Sequence, residues 1–131
     1  MLTEKDYCDY ETCVALIEMG FVGTSRYYYD KKNHKLHITN YGITYTVRTA
    51  SASDYVLAIH LYDAQKWLRE KLNIHISTKP YPNEGGLMWM FEIRKFSPYL
   101  VSVIVNKTGF YDSEEALLEG IKEAIKILKE E

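Results

Sequence analysis

Apolar and polar side chains alternate along residues 87–106, which read LMWMFEIRKFSPYLVSVIVN. In the first half, the alternate residues that share one face of an extended chain are Leu87, Trp89, Phe91 and Ile93. The second half repeats the pattern with Tyr99, Val101, Val103 and Val105. Between the halves, Ser97-Pro98 is typical of a tight turn. The stretch therefore predicts two long antiparallel strands, residues 87–96 and 99–106.

One more strand and two helices are predicted on either side of this pair. Ile74 begins a short strand that we expect to stop at Pro80, since proline cannot donate to a ladder. Residues 82–86, Pro-Asn-Glu-Gly-Gly, are typical of an unconstrained loop. A 3.6-residue apolar period predicts helices at about residues 61–72 and from Asp112 onward. Their expected buried faces consist of Leu61, Ala64, Leu68 and Leu72, then Leu117, Ile121, Ala124 and Leu128.

The first half of the chain follows a similar plan. A helix is predicted over residues 9–19, with a stop at Gly20. Three strands then follow, at residues 27–29, 36–39 and 43–48. Residues 50–56 have the composition of a loop. The order helix, three strands, helix, three strands, helix predicts an α+β fold, a mostly antiparallel sheet of two three-stranded meanders covered by three helices. The length of 131 residues predicts a single domain, residues 1–131.

Composition is that of a soluble globular protein, with 47% apolar residues, 26% charged residues and a net charge of −2. This balance does not favour nucleic acid as the default partner, because phosphate-binding domains usually carry an excess of Lys and Arg. The N-terminal residues are polar, and no stretch approaches the ~20 apolar residues of a membrane span. We therefore expect a cytoplasmic protein without a membrane partner.

The two cysteines agree with a reducing compartment. Cys13 falls on the apolar stripe of the first predicted helix, so we expect it in the core. Cys8 precedes that helix, and a helix N-terminus can lower a thiol pKa, so a reactive Cys8 is the alternative. The five-residue spacing is expected to point the two side chains in different directions, which makes a disulfide between them improbable.

Catalytic and metal-binding motifs are not recognised in the sequence. The four histidines lack the ligand spacing of a zinc site, and neither a phosphate-binding glycine loop nor a nucleophile elbow is present. We therefore predict no metal, no cofactor and no catalytic residue. A small enzyme remains an alternative, with His60 or His75 as base, and it requires a thiol or carboxylate in the same pocket.

Tyrosine is unusually abundant, with twelve residues. Its apolar ring and polar tip suit half-buried strands and contact surfaces. Tyr27 and Tyr29 share a predicted strand face, while Tyr81 and Trp89 flank the predicted loop. These four residues form our predicted contact surface. Ordinary packing within the sheet is one alternative, and base stacking beside Arg26 is another.

Two segments resemble a known group of proteins. Residues 58–70, AIHLYDAQKWLRE, and residues 111–121, YDSEEALLEGI, are similar to stretches of small phage-related and mobile-element proteins of gut anaerobic bacteria. The opening residues 2–7, LTEKDY, are similar as well. Ile59 stands where that group usually has proline. No activity or cofactor accompanies the group, so the resemblance implies only a phage-related accessory protein in the bacterial cytoplasm.

The function predicted from these features is a non-catalytic protein-interaction module. Its expected partner is another protein or a second copy of the chain, because exposed aromatic strand faces and edges favour homodimers. The first alternative is a protein associated with single-stranded nucleic acid through Arg26, Lys31 and Lys32. The second alternative is the small enzyme.

Overall fold

The computed structural model describes residues 4–39, 43–96 and 101–130, with the backbone alone for 101–103. The helices of these residues are a short 3-10 helix Glu4–Asp6, α1 Tyr10–Glu18, α2 Val47–Ala52, α3 Leu61–Leu72 and α4 Ser113–Lys129. The strands are β1 Thr24–Ser25, β2 Tyr27–Asp30, β3 Leu36–Ile38, β4 Tyr45–Thr46, β5 Tyr55–Leu57, β6 Ile74–Asn83, β7 Gly86–Phe96 and β8 Val101–Phe110. All strand pairs among them are antiparallel, and the predicted α+β class is confirmed.

The chain folds as two compact units, residues 1–60 and 61–131. Each unit has its own strands, helices and buried side chains. The expectation of a single domain over residues 1–131 stays a prediction.

In residues 61–131, α3 and α4 cover one face of a sheet in the order β6-β7-β8. This helix-meander-helix arrangement is the one that the sequence predicts. Gly120 of α4 packs directly on the sheet, where a Cβ at this position would lie 2.7 Å from Ile76 Cγ2. Among the described residues of this unit, the buried apolar side chains are Leu61, Ala64, Leu68, Ile74, Ile76, Phe91, Ile93, Ala116, Leu117, Ile121, Ala124 and Ile125. Leu128 is half-buried, so its predicted core position is wrong.

The strand β6 does not stop at Pro80 as predicted but continues to Asn83. Asn83 pairs with Gly86 across a two-residue turn. In such a hairpin the closing pair is hydrogen-bonded and the pairs then alternate. Pro80 and Pro82 therefore occupy the positions whose nitrogen faces away from β7, where no ladder bond is lost. The predicted loop over 82–86 is reduced to the turn residues 84 and 85.

In residues 1–60, α1 ends as the sequence predicts. Gly20 adopts a φ of 105°, its N–H bonds to the Ile17 carbonyl, and the Phe21 N–H bonds to the Leu16 carbonyl. These two hydrogen bonds define a Schellman motif, in which the positive φ favours glycine. The buried apolar side chains of the unit are Tyr7, Cys8, Cys13, Leu16, Phe21, Tyr29, Ala50, Val56, Leu57, Ala58 and Ile59.

The third strand predicted at residues 43–48 is much shorter than expected. Only Tyr45 and Thr46 form a strand, β4, and they pair with β1. Thr46 then caps α2, because its side chain and that of Thr49 bond reciprocally to each other's backbone N–H. The predicted loop over 50–56 instead holds the end of α2 and the start of β5. Since β5 pairs with β2, the sheet order is β3-β2-β5 and not a meander.

The predicted turn at Ser97-Pro98 lies outside the described residues.

Candidate contact surface

The first two predicted contact residues, Tyr27 and Tyr29, lie on β2 in different surroundings. Tyr29 is 5% exposed, and its hydroxyl donates to the Cys8 carbonyl oxygen at 2.7 Å. Burial raises the pKa of this hydroxyl well above its usual value. Tyr29 is therefore a core residue, and its assignment to a contact surface is wrong. Tyr27 is half-buried, with its ring centroid 4.8 Å from that of Tyr7.

The other two, Tyr81 and Trp89, lie on the β6–β7 hairpin but on opposite faces. Trp89 alternates with Phe91 and so faces the side of the sheet that α3 and α4 cover. Tyr81 pairs with Met88 and faces the other side. Both are half-buried. The structure thus places the four predicted residues in two units, and the hairpin pair does not share a face.

A different aromatic surface lies on β2 and its neighbours. Tyr28 is at its centre, with ring centroids at 4.2 Å to Tyr55, 5.4 Å to Tyr45 and 5.5 Å to His37. The His37 ring is stacked on Tyr28 at 20°, whereas the Tyr45 ring meets it edge-on at 74°. His37 is exposed and the three tyrosines are half-buried. We call these four residues the Tyr28 cluster.

The strand register produces this cluster. Tyr28 pairs with His37 of β3, and Asp30 pairs with Tyr55 of β5. Directly opposed residues share a face, and residues two apart on a strand share it too. Tyr28, His37 and Tyr55 therefore project from one face, while α1 packs on the other face through Tyr29. The sequence did not predict the cluster, because it assigns Tyr55 to a loop and gives no sign that the strand of Tyr45 pairs with β1.

The Tyr28 hydroxyl remains protonated at neutral pH. Burial is the main cause of its raised pKa, followed by the charges of Tyr55, Tyr45 and Asp30 and a hydrogen bond with Tyr55. A protonated hydroxyl can donate to a partner but cannot act as a general base. The cluster thus offers ring area, hydroxyl donors and a nearby carboxylate, which suits binding rather than proton transfer.

The two cysteines meet at the start of α1. The Asp9 carboxylate accepts from the Thr12 N–H at 2.9 Å, which makes Asp9 the N-cap. Cys8 is then the residue before the cap, and Cys13 is the fourth residue of the helix. Side chains at these two positions commonly pack together as a hydrophobic staple. The Cys13 thiol donates to the Cys8 carbonyl at 3.5 Å. The prediction that these side chains point apart is wrong, because the extended cap folds Cys8 back onto the helix.

A reactive Cys8 is not supported. Its side chain is fully buried. A hydrogen bond with the Cys13 thiol is the main cause of its raised pKa, with burial as the second cause. Both effects hold the sulfur as a neutral thiol, which is a poor nucleophile.

The histidines proposed for the small enzyme stand in separate units. His60 pairs with Tyr7 in an isolated bridge, and their rings meet edge-on at 5.4 Å. His75 lies on β6 with its ring 4.0 Å from that of Phe96, and burial together with Arg69 lowers its pKa. Among the described residues, no three His, Cys, Asp or Glu side chains come together to hold a metal ion.

Comparison with known proteins gives no match, whether with a family model, a curated protein or a solved structure. Within the described part of the chain, no helix combines the length and apolarity needed to cross a membrane.

Proposed function

We propose that this chain is a non-catalytic protein-interaction module and that the Tyr28 cluster makes the contact. The observation that supports the proposal is the gathering of Tyr28, Tyr55 and His37 on one sheet face, with the ring of Tyr45 from β4 packed edge-on against Tyr28. Tyrosine is among the residues that contribute most at protein interfaces, because it buries a large rigid ring and still donates a hydrogen bond. Rings that already pack on one another lose little conformational freedom on binding.

The biological setting belongs to the same proposal. On the resemblance of residues 58–70 and 111–121, we place the protein among phage-related accessory proteins of the bacterial cytoplasm. Its partner is then a protein of the phage or of the host, or a second copy of the chain.

Single-stranded nucleic acid is a weaker candidate for this surface. The stack of His37 on Tyr28 provides the kind of platform on which bases stack. However, the Asp30 carboxylate is close enough to act on the Tyr28 hydroxyl, and a negative charge there repels phosphates. The Tyr28 cluster therefore fits a protein better than a nucleic acid.

The test is capture of partners from bacterial lysate with the tagged chain and two matched variants. Tyr55→Ala removes one ring from the Tyr28 cluster, and Tyr62→Ala removes an equally large tyrosine that is 59% exposed and lies elsewhere. We expect Tyr55→Ala to lose the captured protein and Tyr62→Ala to retain it, with no effect of nuclease treatment. Equal capture by both variants would refute the assignment of the surface.

Two further outcomes separate the alternatives. Loss of the captured material after nuclease treatment, together with salt-sensitive binding of a labelled oligonucleotide, would favour nucleic acid. Light scattering that shows a monomer at every concentration would remove the self-association version. Thermal unfolding of each variant verifies that a loss of capture does not reflect a loss of fold.

A further inference from the structure

The cysteine pair at the start of α1 forms a closed hydrogen-bonded network with its surroundings. The Cys13 sulfur accepts from the Ile59 N–H at 3.3 Å, and its thiol donates to the Cys8 carbonyl. The same carbonyl accepts from the Tyr29 hydroxyl, and the Cys8 N–H donates to the Ile59 carbonyl at 2.8 Å. The network thus connects β2, the segment after β5 and the start of α1, and two free thiols lie at its centre.

We propose that Cys8 and Cys13 form a reversible intramolecular disulfide when the protein meets a thiol oxidant. The geometry of the helix start carries the proposal, because Cys8 and Cys13 occupy the two staple positions around the Asp9 cap and the Cys13 thiol reaches the Cys8 backbone. The Cys13 sulfur lies 3.5 Å from the Cys8 carbonyl oxygen, which places the two residues in direct contact. The folded chain therefore already holds the two cysteines close together. An unfolded chain would lose conformational entropy in closing the same loop.

The reaction with a small disulfide such as oxidised glutathione is balanced without a further reactant. One cysteine, as thiolate, attacks the glutathione disulfide, forms a mixed disulfide and releases one glutathione thiolate. The second cysteine then attacks the protein-side sulfur and releases the second glutathione. The protein loses two electrons and two protons, one S–S bond forms in it, and the two glutathiones carry the electrons and protons away as thiols.

Burial controls the rate of this reaction but not its equilibrium. Both side chains have no exposed surface, so the oxidant reaches them only when the start of α1 opens. Helix ends and short helices are the parts of a fold that open most readily, and α1 has 9 residues. The bridge also replaces the Cys13 thiol hydrogen bond to the Cys8 carbonyl, whereas the Tyr29 hydroxyl remains a donor to that oxygen.

The test compares the thiol–disulfide equilibrium of the folded and the unfolded chain. The full-length protein is incubated with graded ratios of oxidised to reduced glutathione, once in native buffer and once in guanidinium chloride. Each series starts from both the reduced and the oxidised protein, so that slow opening cannot be mistaken for an unfavourable equilibrium. Acid quenching, alkylation and intact-mass analysis then count the free thiols, the bridges and the mixed disulfides.

We expect the equilibrium constant for the bridge to be at least about tenfold larger in the folded chain than in guanidinium chloride. An equal or smaller constant in the folded chain would overturn the proposal, and so would mixed disulfides or intermolecular dimers as the main products.

Variants give a second measurement that does not depend on the yield of the bridge. Cys8→Ala and Cys13→Ala should each stop at a mixed disulfide with glutathione, since neither retains the second thiol. In the wild-type protein, oxidation should slow amide hydrogen exchange over residues 10–13 of α1. Exchange that speeds up on oxidation would show that the bridge breaks the cap instead of closing it, and would refute the staple geometry.

Discussion

Gly120→Ala tests how closely α4 approaches the sheet. In the middle of an exposed helix this substitution would stabilise the protein by about 1 kcal/mol, because alanine has the higher helix propensity. Here the new Cβ would lie 2.7 Å from Ile76 Cγ2 and 3.2 Å from Phe91 Cγ. Carbon atoms at rest are about 3.5–4.0 Å apart. Either α4 or the sheet must therefore move, and such overpacking costs about 1–3 kcal/mol.

The cost should exceed the gain, because the obstructing methyl cannot swing away. Ile76 is 4% exposed and Phe91 is 1% exposed, and the Ile76 methyl is attached to a β-branched carbon with a stiff first torsion. We expect a net destabilisation of about 1–2 kcal/mol, measured by urea unfolding with an unchanged slope. In the Ile76→Ala background the closest obstructing methyl is absent and only the Phe91 contact at 3.2 Å remains, so Gly120→Ala should cost clearly less than in the wild-type background. A stabilised single variant, or the same loss in both backgrounds, would refute the close approach.

Three further predictions concern other parts of the chain. Leu68→Ala should lower the free energy of unfolding by about 2–5 kcal/mol, because the Leu68 side chain is fully buried. Leu128→Ala should lower it by only about 1 kcal/mol, because Leu128 is half-buried. Equal losses for the two variants in chemical unfolding would contradict this difference in burial. Tyr29 has a raised pKa in the folded chain, so its contribution to stability is complete below about pH 10 and is lost as the pH rises further. The unfolding midpoint of Tyr29→Phe should therefore change less with pH, across the alkaline range, than that of the wild-type protein. An equal pH dependence in the two proteins would count against the buried hydroxyl. Burial and the charge of Arg69 lower the pKa of His75, so the stability of the protein should fall as the pH drops below about 6.5. His75→Gln should reduce this loss of stability. Thermal unfolding of both proteins between neutral and mildly acidic pH measures the difference.

Long periodic segments were predictable from the sequence. The apolar stripe of α3 and the alternation along β7 each extend over many residues, so neighbouring positions reinforce the same pattern. The helix stop at Gly20 was predictable because a positive φ there requires glycine. The extension of β6 beyond Pro80 was missed because a strand tolerates proline only at the edge of a sheet. The position of β6 at the edge follows from the tertiary structure and is not visible in the local sequence.

The Tyr28 cluster could not be predicted because its parts depend on short strands. The strand β5 has three residues and β4 has two, which is too short for a period to show. Their places are set by pairing with β2 and β1, far away in the sequence. The cysteine contact was missed for a related reason: helical spacing was applied to Cys8, although it lies before the N-cap in extended backbone. A search for pairs that flank a capping Asp would have found it.

The prolines of β6 give its sheet two chemically different edges. The outer edge of β6 lacks the N–H groups of Pro80 and Pro82, whereas the other edge is the backbone of β8. A strand of a second molecule that added to β6 would find no donor at those two positions, whereas the sequence of β8 contains no proline. Two copies joined through their β8 edges would form one six-stranded sheet whose two outer margins are both β6. The prolines would disfavour further lateral growth from those margins, so their position would favour a closed dimer over an open fibre.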